Sequence, residues 1–262
     1  MTVHLDFRQR AMLAEMGIRW QEPLARAEGA RAQPPAMREQ VPVPEVVRPP
    51  RVTLPTPSAR VAAAAGARVP EAAPVELMAW DELQQAVAGC RACHLCTGRR
   101  NTVFGVGDPQ AEWLIVGEAP GENEDLQGEP FVGAAGKLLD NMLKALGLTR
   151  QEKVYIANVL KCRPPANRNP LPQEVAQCEP FLRRQILLLQ PRIILAMGRF
   201  AVQSLLRSND PIGKLRGRVH RYGEIPVVVT YHPAYLLRNP ADKARAWDDL
   251  CLALDWIGRQ PG

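Results

Sequence analysis

Residues 153–172 read KVYIANVLKCRPPANRNPLP, an apolar segment that runs directly into a polar, proline-rich loop. Residues 153–160 predict a β-strand, because β-branched and other apolar side chains dominate them and prolines follow at once. Asn158 lies inside this strand among apolar neighbours, where a buried amide requires hydrogen-bond partners. The loop contains Cys162 and two arginines. Polar chemistry is therefore predicted at the end of a buried strand.

The same change from apolar strand to polar turn recurs along the chain. Residues 113–117 (WLIVG) lead into GEAPG, residues 227–230 lead into YHPAYLL, and residues 192–197 predict a further strand. Helices are predicted at 76–88, 136–146, 173–189, from Arg199, and at about 241–257. Strands that alternate with helices predict an α/β fold of three layers, α/β/α, around a mostly parallel central sheet. Since ligands bind at the carboxyl ends of such strands, we expect the polar turns to converge.

The N-terminal part of the chain has a different composition. Residues 5–20 (LDFRQRAMLAEMGIRW) carry a rough apolar stripe, and we predict a short helix within residues 1–20. Residues 21–75 are rich in Pro, Ala and Arg, and eleven of the chain's 25 prolines lie between 23 and 74. Such a segment buries too little apolar surface to offset its ordering entropy, so a disordered linker is predicted. The globular domain is predicted to span residues 76–262.

Charge and hydropathy limit the classes of partner. The formal net charge is +6 and the isoelectric point is about 9.2, which suits nucleic acid without establishing it. No apolar run approaches the roughly 20 residues that span a bilayer, and the N-terminus lacks a signal-peptide pattern. A cytoplasmic protein without a membrane partner is therefore predicted. Thiols stay reduced there, so the six cysteines indicate metal ligands or buried hydrophobes rather than disulfides.

Four of the cysteines form two pairs, Cys90-x2-Cys93 and Cys162-x15-Cys178. A thiolate quartet of this kind holds either zinc or an iron–sulfur cluster. A zinc ribbon normally has a second short pair, and the long second spacing suits a larger cluster at least as well. Cys96 continues the first pair like a ferredoxin run, but the required next cysteine is absent, so we exclude it as a ligand. Cys251 is predicted to be a core residue.

The polar turns supply candidate site residues. Glu118 lies in the turn after the first strand, and the loop GEPFVG (128–133) is predicted to present Phe131 as an exposed ring. His232 follows the fourth strand, where an imidazole can donate a hydrogen bond to a developing anion. Each also has an ordinary structural interpretation, as a turn residue, a core ring or a structural histidine.

Taken together, these motifs resemble the family 4 uracil-DNA glycosylases, the iron–sulfur branch of that superfamily. The resemblance covers roughly residues 80–258 and rests on motifs that follow one another in the family's order. They are the four paired cysteines, VFGVG (103–107), GEAPG (117–121), QGEPFVGAAG (127–136), NVLKCRPPANRNPLP (158–172) and YHPAYLLRNP (231–240).

The resemblance implies a 4Fe-4S cluster on Cys90, Cys93, Cys162 and Cys178, with a structural role. It implies uracil-containing DNA as the substrate, with uracil flipped into a pocket and its N-glycosidic bond hydrolysed to leave an abasic site in base excision repair. Asn158 and Phe131 would read and stack on the base, and His232 would hydrogen-bond its O2. Glu118 would line the pocket together with Gly117 and Ala119.

Further residues are expected to contact DNA. In the loop after the second strand these are the basic residues Lys161, Arg163 and Arg168. After the fourth strand, Leu236 and Leu237 are apolar wedges beside Arg238, a combination that can enter a minor groove and unstack bases. An ordinary amphipathic turn explains these last three residues equally well when they are taken alone.

Two alternatives to the glycosylase stay open. One is a non-catalytic iron–sulfur module that binds DNA and is tethered to replication machinery, and the other is a zinc protein that uses the same four thiolates. The helix in residues 1–20 resembles the N-terminal segment of the psi subunit of the replicative clamp loader, which implies a replication or repair protein as its partner. The helix could equally dock on the protein's own domain. The protein is expected to be a monomer.

Overall fold

The structure is a computed structural model that describes residues 74–259. The predicted helix in residues 1–20 and all but the last two residues of the predicted linker lie outside the described residues. Within residues 74–259, no helix combines the length and the apolarity that crossing a bilayer requires.

A six-stranded sheet forms the centre of the described domain. The strands are β1 (Val106–Gly107), β2 (Trp113–Gly117), β3 (Val154–Asn158), β4 (Ile193–Met197), β5 (Val219–Tyr222) and β6 (Ile225–Thr230), in the order β1-β3-β2-β4-β6-β5. The four central strands pair in parallel, and the two edge strands pair antiparallel to their neighbours. Residues of β2, β3 and β4 are buried throughout, as expected for parallel strands that are covered on both faces.

Helices cover both faces of this sheet. They are α1 (Trp80–Gly89), α2 (Glu122–Gln127), α3 (Ala134–Ala145), α4 (Pro172–Leu189), α5 (Arg199–Leu206), α6 (Ile212–Leu215), α7 (Pro233–Arg238) and α8 (Lys243–Gly258), with short 3-10 turns at Val75–Leu77, His94–Thr97, Pro165–Asn167 and Pro240–Asp242. The predicted α/β fold with a mostly parallel sheet is confirmed, and each strand and helix predicted within residues 74–259 is present, most of them with ends that differ by a few residues.

The two faces of the sheet have separate hydrophobic cores. Trp113 and Ile115 of β2 pack on one face with side chains of α3 and α8, such as Met142 and Leu250. Leu114 and Val116 alternate to the other face, where α4 and α5 supply the covering side chains. A third cluster lies under the cysteine-containing segment and includes buried residues of α1 and α4. The three layers of the prediction are therefore those of the structure.

The sequence did not predict β1, β5, α2, α6 or α7. Strand β1 has only two residues, and β5 has a half-exposed pattern without the apolar run of a central strand. Helix α7 does carry a signal, since proline occupies its first position and the preceding His232 caps it.

The register of the parallel strands brings four strand ends to one edge of the sheet. Gly117 at the end of β2 lies opposite Asn158 at the end of β3. Met197 at the end of β4 lies opposite Thr230 at the end of β6. The turns that follow these residues therefore begin at the same level, which is where an open parallel sheet binds its ligands.

Candidate active site and cysteine cluster

A cleft of about 690 Å³ opens at the carboxyl ends of the parallel strands. The side chains that line it come from the turns after β2, β3, β4 and β6, and they include Glu118, Phe131, Asn158, Arg199 and His232. The predicted convergence of Glu118, Asn158 and His232 is therefore found in the structure. The cleft is partly polar, with cations at its wall, and it is large enough for a nucleobase.

Gly117 lies beneath two of these side chains. A Cβ atom at this position would stand 2.4 Å from Oδ1 of Asn158 and 2.6 Å from Cζ of Phe131. Both distances are far below van der Waals contact, so any other residue would displace the amide or the ring. The absence of a side chain therefore allows both groups to rest on the backbone of β2.

Phe131 is buried rather than presented to solvent. Its side chain is 5% exposed, and its ring stacks on the His232 imidazole with 5.4 Å between centroids and 28° between planes. The prediction of an exposed ring is wrong, because the loop folds inward over Gly117. The ring nevertheless lines the cleft.

Asn158 presents an amide at the base of the cleft. The residue is 2% exposed, and its Oδ1 atom has no hydrogen-bond partner among the described residues. A buried polar atom without a partner costs free energy, and native proteins rarely retain one without a reason. Its backbone oxygen accepts a hydrogen bond from Nζ of Lys161 at 2.9 Å. The backbone of Asn158 is thus held in place, while its side-chain oxygen lies beside the cleft, buried and without a partner among the described residues.

His232 is a neutral imidazole in a fixed orientation. Its Nδ1 accepts the backbone N–H of Ala234 at 3.2 Å, as the cap of helix α7. Burial lowers the pKa of His232 to about 4, and the cation of Arg238 acts in the same direction. Because Nδ1 is the acceptor, the proton of the neutral ring resides on Nε2. The residue can therefore donate one hydrogen bond without carrying a charge.

Glu118 has an unusual affinity for its proton. Burial raises the pKa of this carboxyl to about 7, while the nearby Arg199 opposes the shift. Both residues line the cleft. A carboxyl group that titrates near neutrality can act as a base or orient water under ordinary conditions.

Sequence patterns indicate no role for Glu124 beyond membership of an acidic run. In the structure Glu124 lines the cleft, and its carboxylate accepts backbone N–H groups of Gly121, Val132 and Gly133 at 3.0–3.1 Å. Glu124 follows Gly121 by three residues, which is the spacing of a capping box at the start of a helix. This spacing is the sequence pattern that could have indicated its role.

Lys161 does not face DNA, and that prediction is wrong. The residue is 1% exposed, and its ammonium donates hydrogen bonds to the carbonyls of Phe104 and Asn158 and to Oε1 of Gln185. Burial lowers its pKa to about 8. Lys161 leaves the end of β3 in the direction of the core. There its ammonium links the Asn158 carbonyl to Gln185 of helix α4.

The predicted wedge after β6 divides into buried and exposed residues. Leu236 is fully buried in the core against α3, so its prediction as a DNA wedge is wrong. Leu237 is 44% exposed, and Arg238 lines the cleft. Helical periodicity explains the division, since neighbouring residues of α7 point in different directions.

The two arginines of the loop after β3 are engaged with protein groups. Arg168 lines the cleft and donates to both carboxylate oxygens of Glu174, which is buried. Arg163 donates to Oδ1 of Asn167 at 2.7 Å and lies 3.7 Å from a carboxylate oxygen of Glu122. These contacts order the loop and leave part of each guanidinium accessible.

The two cysteine pairs meet at one apolar cavity beside this loop. Cys90, Cys93, Cys162 and Cys178 all line it, and so does Cys96, which the sequence excluded as a ligand. Cys251 lies elsewhere and packs against the core of the α3–α8 face, where a core position was predicted. Among residues 74–259, no three Cys, His, Asp or Glu side chains are arranged to hold a single metal ion.

The surroundings of the sulfurs suit thiolate ligands. The Arg99 guanidinium donates to Sγ of Cys162 at 3.1 Å, and the backbone N–H of Lys161 donates to Sγ of Cys178 at 3.2 Å. Burial raises the pKa of Cys178 to about 12 and also raises that of Cys162. Thiols buried in this way become thiolates only beside strong positive charge, which bound metal supplies. The donor set therefore fits a metal group bound through thiolates, which the predicted iron–sulfur cluster is.

The family follows from comparison with known proteins. The model described as the uracil DNA glycosylase superfamily matches residues 104–251. A type-4 uracil-DNA glycosylase of Archaeoglobus fulgidus is 48% identical over 168 residues, which cover 61% of this chain and 84% of the relative. The chain belongs to the type-4 branch of the uracil-DNA glycosylase superfamily. The predicted family is thereby confirmed.

Other type-4 relatives match over the same extent. The protein of Sulfurisphaera tokodaii is 47% identical over 169 residues, covering 61% of this chain and 76% of the relative. That of Thermotoga maritima is 44% identical over 165 residues, covering 62% and 85%. The matched stretch of this type-4 chain is short enough to lie within the described domain.

Replacement of Lys161 by Met is expected to destabilise the domain. The change leaves the Asn158 carbonyl and Oε1 of Gln185 without a buried donor, which costs about 2 kcal/mol of unfolding free energy. Urea denaturation of the metal-loaded protein measures this. Arg163→Met is the control, since Arg163 contacts Glu122 and Asn167 at the surface and such contacts contribute about 1 kcal/mol or less. If Lys161→Met and Arg163→Met had the same free energy of unfolding, the buried, hydrogen-bonded position of Lys161 would be contradicted.

Proposed function

We propose that the protein excises uracil from DNA by hydrolysing its N-glycosidic bond and leaves an abasic site for base excision repair. The observation that carries the proposal is the group of three side chains in the cleft, where an unpartnered amide, an aromatic ring and a neutral imidazole converge. The matches to type-4 glycosylases favour an enzyme over a non-catalytic DNA-binding module.

Asn158 reads the polar edge of the base. Its unpartnered Oδ1 accepts the N3–H of uracil, and its Nδ2 donates to the neighbouring carbonyl O4. Cytosine has no N3–H and carries an amino group in place of O4, so it leaves this amide with mismatched groups. Phe131 stacks on the face of the flipped base, which supplies binding free energy without regard to its edge.

His232 stabilises the departing base. As the glycosidic bond breaks, negative charge develops on the uracil and reaches O2, where the Nε2–H of the neutral imidazole donates a hydrogen bond. The cap bond at Nδ1 fixes the ring before the reaction, so little reorganisation is required when the charge appears. The interaction is stronger with the anion than with neutral uracil, which is the condition for catalysis.

Glu118 acts at the sugar side of the cleft. As a carboxylate it orients the attacking water, and its negative charge stabilises the positive charge that develops on the oxocarbenium-like sugar. The same side chain, with Ala119, narrows the pocket against the 5-methyl group of thymine, and Gly117 lies beneath the Asn158 amide and the Phe131 ring. The cations of Arg199 and Arg238 hold the DNA backbone at the rim of the cleft, and Arg163, Arg168 and the exposed Leu237 extend this surface.

We infer that Cys90, Cys93, Cys162 and Cys178 hold a 4Fe-4S cluster. The convergence of the two pairs on one apolar cavity and the N–H donors to two of the sulfurs support this. Bound there, the cluster would cross-link α1, the loop after β3 and helix α4. Docking of residues 1–20 on a replication or repair protein, the monomeric state and the cytoplasmic location stay predictions.

A glycosylase assay tests the function on one sample. The purified protein is expected to be brown, to contain iron rather than zinc, and to release uracil from a uracil-containing oligonucleotide. His232→Ala and Asn158→Ala are each expected to lower single-turnover rates by about 100-fold or more, as removal of an oxyanion-type donor does. Leu187→Ala, an exposed position on α4, is the control. Release of uracil at full rate by both site variants would contradict the assigned pocket.

The pH dependence separates Glu118 from His232. A carboxyl whose pKa is about 7 loses its charge as pH falls through that value, so kcat/KM is expected to decrease from pH 8 to pH 6. His232 stays neutral over this range, because its pKa is about 4. Glu118→Gln is expected to be slower and to lack the decrease. If kcat/KM of Glu118→Gln decreased by the same factor from pH 8 to pH 6, the titrating group would be one other than Glu118.

A further inference from the structure

Phe131 has a backbone conformation that requires support. Its φ is +56°, in the left-handed region that bulky side chains adopt rarely. Such a conformation persists only when surrounding contacts impose it. In this loop the contacts come from two side chains of opposite charge, Arg150 and Glu124.

Arg150 holds the carbonyl groups of the loop. Its guanidinium donates to the carbonyl oxygen of Pro130 at 3.0 Å, to that of Phe131, and to that of Gly136 at 3.4 Å. The side chain is 15% exposed and also pairs with Asp140 of α3. Carbonyls of three residues on both sides of the loop are therefore joined to one planar cation, whose several donors lie in a rigid arrangement.

Glu124 holds the N–H groups that follow Phe131. Its Oε1 accepts from Val132 at 3.0 Å and from Gly133 at 3.1 Å, and its Oε2 accepts from Gly121 at 3.1 Å. One carboxylate thus joins the Phe131 loop to the turn that contains Glu118. Hydrogen bonds to a charged acceptor are stronger than those between neutral groups.

The packing around the loop leaves little room for another conformation. A Cβ at Gly136 would stand 1.7 Å from the Phe131 carbonyl oxygen, so the start of α3 lies directly against the loop. The ring itself is enclosed between Gly117 and the imidazole of His232. Movement of the loop would therefore move the ring.

We propose that Arg150 and Glu124 form a clamp that holds Phe131 in its base-stacking conformation, and that Arg150 is thereby a positioning residue for uracil. Glu124 is among the described residues that line the cleft, whereas Arg150 is not. Arg150 acts only through the loop. This inference rests on the proposed function, because the stacking partner of Phe131 is the flipped base.

A double-mutant cycle tests the clamp. Arg150→Met is made in the wild-type chain and in Phe131→Ala, and kcat/KM for uracil release is measured for all four proteins. In the wild-type chain, Arg150→Met is expected to lower kcat/KM by about tenfold, the scale of one base–aromatic stacking contact. In Phe131→Ala the same change is expected to cost less than about twofold, because residues that act through one contact are not additive.

Two further variants and one ligand complete the experiment. Arg150→Lys retains the charge and a donor, so it is expected to recover part of the loss, and it replaces Arg150→Met in the cycle if the latter does not fold. Arg192→Met is the matched control, since Arg192 also bridges a carboxylate and a carbonyl but at the opposite end of the sheet. Inhibition by free uracil is expected to weaken in Arg150→Met, while affinity for uracil-free DNA stays unchanged.

The outcomes separate the clamp from the function on which it rests. Equal losses from Arg150→Met in both backgrounds, or none in either, would overturn the clamp while the wild-type chain still releases uracil. Absence of uracil release by the wild-type chain would overturn the proposed function, and the clamp with it. Unchanged inhibition by free uracil in a slower Arg150→Met variant would assign Arg150 a role outside base stacking.

Discussion

Gly117 ends the central strand β2 opposite Asn158. The pocket depends on the absence of a side chain at this position. Parallel pairing places the two residues side by side, and the missing side chain lets the Asn158 amide and the Phe131 ring approach the strand backbone together. His232 then closes the site by stacking on that ring. The arrangement on which the proposed base recognition and leaving-group stabilisation rest thus follows from the register of a sheet and one glycine.

Two charged groups beside the pocket, the buried Lys161 and the half-buried Glu124, hold its loops in place. The Lys161 ammonium donates to the Asn158 carbonyl, and the backbone N–H of Lys161 donates to Sγ of Cys178, so the residue proposed to read the base is connected to the cysteine cavity. Glu124 connects the turn of Glu118 with the loop of Phe131. Charges removed from water are costly unless they are paired or fully hydrogen-bonded. Lys161 donates to two backbone carbonyls and one side chain, and Glu124 accepts three backbone N–H groups. Rigid loops of this kind preorganise the site before the substrate arrives.

The sequence could predict the layers and the location of the site, because apolar runs, turn residues and the edge rule for parallel sheets are local or general patterns. Asn158, Glu118 and His232 were found in this way. The burial of Lys161, Leu236 and Phe131 was not, since it depends on the direction in which each side chain leaves a strand end or a short helix. Neither could the roles of Glu124 and Arg150 be predicted, because their partners are peptide groups, which sequence patterns do not identify.

Replacement of Gly117 by Ala, followed by the single-turnover rate of uracil release, shows whether the pocket depends on this glycine. The added Cβ would overlap the Asn158 amide and the Phe131 ring, and a displacement of about 1 Å in such groups can cost about 100-fold in rate. We expect a loss of that size with the fold retained. Gly258→Ala, whose Cβ would lie within 4 Å of none of the described atoms, is expected to leave the rate unchanged. If the Gly117→Ala enzyme released uracil as fast as the wild type, the pocket would not depend on the missing side chain of Gly117.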